Sequence, residues 1–118
     1  DLVVLPGGLG GMQRLEADQR IAALLRRMTE QGRYVAAICA APKVLVSAGL
    51  VKDREVTAYP GVLNDQSGVR LSSAAVVRDG TFITSRGPGT AMDFALTLID
   101  LLCGQETRDT VEAALQRS

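Results

Sequence analysis

The chain has 118 residues, 47% of them apolar, and carries thirteen Lys and Arg against thirteen Asp and Glu. That size and apolar content fit one domain with a real core and exclude intrinsic disorder, while the balanced charge gives no electrostatic case for nucleic acid or an anionic membrane as partner. With no histidine and two cysteines, Cys39 and Cys103, a Ser-His-Asp triad, a Cys-His dyad and an imidazole zinc site are excluded within this chain, and neither a metal site nor a disulfide framework is expected.

In chain order, "DLVVL" (residues 1–5) is short, branched and continuous, which predicts a strand buried on both faces. Because the sequence opens inside such a strand without a methionine, residues 1–118 are expected to form the C-terminal portion of a single, larger domain. "PGGLGG" (6–11) predicts a tight loop. A helix is predicted over 17–31, with Ile21, Leu24, Leu25 and Met28 on one face and Gly32 as its left-handed cap. "YVAAI" (34–38) predicts a second buried strand, "PKVLVSAG" (42–49) a short helix stopped by Gly49, and "EVTAY" (55–59) a third strand. Residues 60–73, punctuated by Gly61 and "NDQSG", read as a surface loop. "AAVVRDGTFITS" (74–85) predicts a hairpin turning on Asp79-Gly80. "GPGTAMDFALTLIDLLCG" (87–104) predicts a long buried helix in which Thr90 and Asp93 are spaced as a capping box, and "DTVEAALQR" (109–117) a final amphipathic helix. Strands alternating with helices imply an α/β layer sandwich with a largely parallel sheet. No apolar run approaches the roughly 18 residues that span a bilayer, and no secretory leader is visible, so the cytoplasm is the expected compartment.

Three loops are candidates for chemistry. In "AAICAAP" (36–42), Pro42 suits the first turn of a helix. Cys39 therefore falls on the connection between strand end and helix start, near unpaired backbone N–H groups and the positive end of a dipole, a setting that favours thiolate. The small neighbours Ala36, Ala37, Ala40 and Ala41 leave room for a ligand and a sharp turn, as in the logic of a nucleophile elbow. The competing reading is a small buried hydrophobe; the carboxyl ends of strands, where open α/β sheets bind ligands, favour the functional one. "PGGLGG" is neither a dinucleotide fingerprint, since Gln13 stands where the third glycine belongs, nor a phosphate-binding P-loop. It is either a plain turn or a source of N–H groups aimed at the Cys39 crevice. "TSRGPGT" (84–90) also leaves a strand and opens a helix, so Arg86 is either a rim residue or a solvated charge. Cys103, at a helix C-terminus, reads as structural.

Taken together, "VVLPGG", "AAICAAP" and "TSRGPGTAMDFAL", in that order and spacing, resemble the ThiJ/PfpI superfamily, also called the DJ-one superfamily, in wording nearest its bacterial YajL-like branch. The resemblance implies a flavodoxin-like sandwich, a homodimer and no cofactor. It implies that Cys39 is the reactive, oxidisable thiol and that Gly8 and Ala40 supply N–H groups to an oxyanion site. Gly7, Tyr59, Arg86 and Pro88 would line the substrate pocket, with Arg86 and Pro88 near the dimer contact. An N-terminal part of the same protein would complete the fold and bring the acidic partner of Cys39. The resemblance departs at Tyr59-Pro60, where many members carry His-Pro. Family activities include glyoxalase III-type conversion of methylglyoxal to lactate, deglycation of glycated adducts, chaperone action and oxidative-stress sensing. Two readings follow: a Cys39-dependent enzyme on small aldehydes or glycated substrates, and a non-enzymatic redox-sensing chaperone. A peptidase reading is disfavoured, because those relatives place a histidine after the cysteine and position 40 here is alanine.

Overall fold

The computed structural model describes residues 2–63 and 68–116. Its main sheet has four strands: β1 (Leu2–Leu5), β2 (Tyr34–Ile38), β5 (Val76–Asp79) and β6 (Phe82–Ser85), in the spatial order β1-β2-β6-β5. β1, β2 and β6 run parallel, with Val3 opposite Val35 and Ala36 opposite Ile83; β5 closes the other edge antiparallel to β6. A second, two-stranded parallel sheet joins β3 (Glu55–Val56) to β4 (Arg70–Leu71). The helices are α1 (Leu9–Ala17), α2 (Gln19–Glu30), α3 (Pro42–Ser47), α4 (Ala91–Cys103) and α5 (Gln105–Leu115). This is the expected α/β sandwich of flavodoxin-like type with a mostly parallel sheet.

β2 is central, and the alternation of a strand sends its side chains to both faces. Val35 and Ala37 enter the larger core with Leu5, Met12, Leu25, Val44, Leu45 and Val51, whereas Ala36 joins Ile83 and Phe94 in a smaller core under α4. Double burial is what a continuous apolar run in a parallel sheet requires.

Several elements differ from their sequence expectation. β1 is an edge strand with Val4 exposed, so it is not buried on both faces here. The glycine-rich stretch is not all loop: α1 starts at Leu9 and carries Gly10 and Gly11, because Met12, only 2% exposed, anchors that turn in the core. The helix expected over 17–31 is α2, Gln19–Glu30, and starts only after Asp18, whose carboxylate accepts the Arg20 N–H and caps it; α1 precedes it as a separate helix. Leu25 is fully buried while Leu24 is exposed. Gly32 does close α2 at φ +69°, with Gly32 N–H donating to Thr29 O and Arg33 N–H to Met28 O, both bonds of a Schellman cap.

The third strand shrinks to Glu55–Val56 and lies outside the main sheet. Within 60–73, β4 forms and Leu63 is buried, with Val62 and Val69 packed on the core, so the segment is not a plain surface loop; "NDQSG" lies largely outside the described residues. The hairpin loop is Gly80-Thr81 rather than Asp79-Gly80, since Asp79 pairs with Phe82, and Gly80 takes φ +62° in its first position. Thr90 makes no side-chain cap to α4; its hydroxyl bonds the backbone of Gly87 instead. α4 is only half-buried, with Met92 and Leu102 exposed.

Candidate active site

Cys39 follows the last residue of β2, and Pro42 opens α3 three residues later. Its backbone takes φ +65°, a left-handed conformation uncommon outside glycine. Two hydrogen bonds hold it there: Cys39 N–H donates to Ser85 O at 3.0 Å and Tyr59 N–H donates to Cys39 O at 2.9 Å. β6 and the segment after β3 therefore grip both peptide groups of the residue. Behind Ser85 lies a set of buried hydroxyls. Ser85 Oγ donates to Ala75 O and meets Thr90 Oγ1 at 2.7 Å, while Thr84 Oγ1 accepts the Thr57 N–H. Sequence reasoning missed this layer, whose only advance signal was a strand ending in Thr-Ser.

The first glycine loop lies directly against the thiol. A Cβ placed on Gly7 would come 2.8 Å from Cys39 Cβ and 3.6 Å from Cys39 Sγ. Gly8, at φ +101°, caps α1. Neither the Gly8 nor the Ala40 N–H is engaged in a hydrogen bond among the described residues, whereas the Cys39 N–H is already committed to Ser85.

Cys39 opens into a pocket of about 490 Å³ lined by Leu9, Met12, Ala40, Lys43, Tyr59, Pro60, Gly61 and Val62. The walls are mainly apolar, and among the described residues no carboxylate lines them. Of the expected substrate residues, Gly7 and Tyr59 lie beside the thiol. Arg86 does not line this pocket. It faces an adjoining hollow of about 200 Å³ across Tyr59, Pro60 and Gly61, and its guanidinium donates to Ser73 O. Pro88 lies further off, in a third hollow with Met92 and Leu115. The Gly-Pro-Gly loop thus reaches the site through Gly87, on whose bare Cα the Tyr59 ring rests: a Cβ there would be 3.3 Å from Tyr59 Cδ1. Leu9, Met12, Lys43 and Val62 were not anticipated as pocket residues. Met12 and Val62 carry only a core signal, and Lys43 reads on paper as a solvated charge.

Chemically, the arrangement offers a positioned thiol, two uncommitted amides from facing loops, and the Tyr59 and Lys43 side chains on the lining of a mainly apolar cavity. Among the described residues no helix is long and apolar enough to cross a membrane.

Comparison with known proteins gives a match to the DJ-1/PfpI family over residues 1–101. The protein dj-1beta of Drosophila melanogaster is 43% identical over 119 residues, covering 98% of this chain and 63% of the relative. A protein of Pyrococcus horikoshii named a deglycase is 36% identical over 104 residues, covering 86% of this chain and 62% of the relative. The crystal structure of Drosophila melanogaster DJ-1beta superposes with a TM-score of 0.93 at 39% identity, over 99% of this chain and 64% of that one. The chain therefore spans somewhat less than two thirds of the length of these relatives.

Proposed function

The chain belongs to the DJ-1/PfpI family, and from that premise we propose that it is the cysteine-bearing part of an enzyme acting on small reactive carbonyls, in the manner of a glyoxalase III or a protein deglycase. One observation carries the reading: Cys39 is held in a left-handed turn against Gly7, at the mouth of a mostly apolar pocket of about 490 Å³.

The sulfur of Cys39, as thiolate, attacks the aldehyde carbon of methylglyoxal. A C–S bond forms and the carbonyl π pair moves onto oxygen, giving a hemithioacetal alkoxide. The Gly8 and Ala40 N–H groups stabilise that oxygen, an effect worth about 3–4 kcal/mol per donor in comparable sites. Transfer of the proton on that carbon to the neighbouring carbonyl carbon oxidises the first centre and reduces the second, so no cofactor is required. Water then cleaves the resulting thioester, releasing lactate and the thiol. A carboxylate must shuttle the proton. Since none lines the pocket among the described residues, we assign it to the part of the protein outside this chain, which also completes the sheet beyond β1. A homodimer in the cytoplasm completes the proposal, with Arg86 and Pro88 toward the partner and away from the reacting atoms.

A second reading rests on the partial exposure of Cys39: oxidation to sulfinate by a peroxide, with chaperone action as the output. Lactate formation from methylglyoxal by the intact protein and its Cys39→Ala variant separates the two. The enzyme reading expects turnover in the wild type and the buffer rate in the variant. Wild-type turnover no faster than buffer, with ready sulfinate formation at Cys39, overturns it in favour of the sensor.

A further inference from the structure

The charge nearest the thiol along the chain is Lys43. It lies four residues after Cys39 on α3, is partly buried, and is the one charged side chain among the described residues on the lining of the Cys39 pocket. Lys43 makes no ion pair among the described residues: the carboxylates of Asp18, Asp79 and Asp100 pair with arginines, and that of Glu16, on α1, accepts from the Ser47 hydroxyl one turn further along α3. The neighbouring cation, Arg86, is on the far side of Tyr59 and bound to Ser73 O. An ammonium at the edge of a mainly apolar cavity that no carboxylate lines among the described residues repels cationic ligands and attracts anions more strongly than it would in open water.

We propose that Lys43 sets the substrate class: short aldehydes that carry a carboxylate or phosphate within a few atoms of the carbonyl that Cys39 attacks. The ammonium receives the anionic end while the Leu9, Met12 and Val62 walls hold the carbon chain. This rests on the carbonyl reading of Cys39 for its biological meaning, but selection for anions is testable without turnover.

The experiment uses two alkylating probes of matched size on the intact protein, iodoacetate and neutral iodoacetamide. Modification is followed at the Cys39 peptide by mass spectrometry, so that exposed Cys103 does not interfere. In each reaction the sulfur displaces iodide as the C–S bond forms. The iodoacetamide rate normalises for any general change in thiol reactivity or folding. At low salt, Lys43→Met is expected to lower the iodoacetate-to-iodoacetamide rate ratio at least about five-fold, the effect of a unit charge about 4 Å from the incoming carboxylate in water; Lys43→Arg is expected to retain it, and added salt to erode it. Protection of Cys39 from iodoacetamide by acetate or by inorganic phosphate then tells carboxylate from phosphate. A ratio unmoved by Lys43→Met overturns the inference even where methylglyoxal is turned over. A ratio that moves, in a protein that converts no aldehyde, upholds the anion site and removes the carbonyl chemistry.

Discussion

A left-handed residue other than glycine costs about 1–2 kcal/mol, and Cys39 bears that cost between two backbone hydrogen bonds, to Ser85 and from Tyr59. Strain held this firmly fixes where Sγ points, and Gly7 is the residue that leaves space for it. Gly7→Ala would put a methyl 2.8 Å from Cys39 Cβ and 3.4 Å from Ile38 O, neither of which is the loose end of a flexible chain. The expected outcome is an overpacking loss of about 1–3 kcal/mol in stability. Alkylation of Cys39 should slow roughly ten-fold or more, since small displacements of a reacting group are costly. Gly10→Ala is the control: nothing lies within 4 Å of its added Cβ, so the Cys39 rate should hold. Equal rates in Gly7→Ala and wild type would show that Gly7 does not constrain the thiol. The position of Cys39 was readable from the apolar run before it and Pro42 after it. Its backbone conformation was not, because "AAICAAP" carries no glycine to mark a positive φ. Lys43 was passed over for a related reason: one lysine in a short helix reads the same whether its head faces water or a cavity.

Among the elements, those fixed by local chemistry were legible and those fixed by distant packing were not. The doubly buried β2, the proline-started α3, the Gly32 cap and the β5–β6 hairpin each have a signal within a few residues. α1 does not, since glycine costs about 1 kcal/mol in a helix interior and only the burial of Met12 reveals why Gly10 and Gly11 are tolerated. β3 and β4 are two residues each and depend on Asp79, at the end of β5. Its carboxylate accepts the Glu55 N–H at 2.9 Å and faces Arg54 at 3.1 Å and Arg70 at 3.5 Å. The Glu55 N–H first, and the Arg54 charge after it, hold this carboxyl below its ordinary value of 3.8. A folded-state pKa below the unfolded one means stability that is complete above the ordinary value and lost as pH falls through the folded one. Asp79→Asn should therefore melt below wild type at neutral pH, with the gap closing at an acid pH below the lowered folded-state value, where the wild-type carboxyl is protonated too. Thermal melts of both proteins at the two pH values check this, and coincident melts at neutral pH would deny Asp79 its role in joining the sheets.

For the whole molecule, the decisive fact is that the main sheet has two cores of unequal size and that the Cys39 pocket belongs to one of them. Met12 and Ala40, which line the pocket, are in the larger core with Leu25, Val35 and Leu45; Phe94, Ile83 and Ala36 form the smaller core on the opposite face. α5 has no buried residue and rests on α4, joined to it by the Arg108–Asp100 ion pair. Removing Phe94 should thus loosen α4 and α5 together while leaving the pocket intact. Phe94→Ala is expected to cost about 3–5 kcal/mol in global stability, through lost transfer energy and the cavity left behind. Amide exchange should rise first in α4 and α5, where few apolar contacts remain to oppose local opening. Well below the melting temperature, the iodoacetamide rate at Cys39 should match wild type, because Met12 and Ala40 of the pocket pack in the larger core and Ser85, which holds the Cys39 N–H, is tied to Ala75 O as well as to Thr90. Exchange that rises instead across β2 and α3, together with an altered Cys39 rate, would mean that the sheet transmits packing changes from face to face and that the site draws its rigidity from both cores.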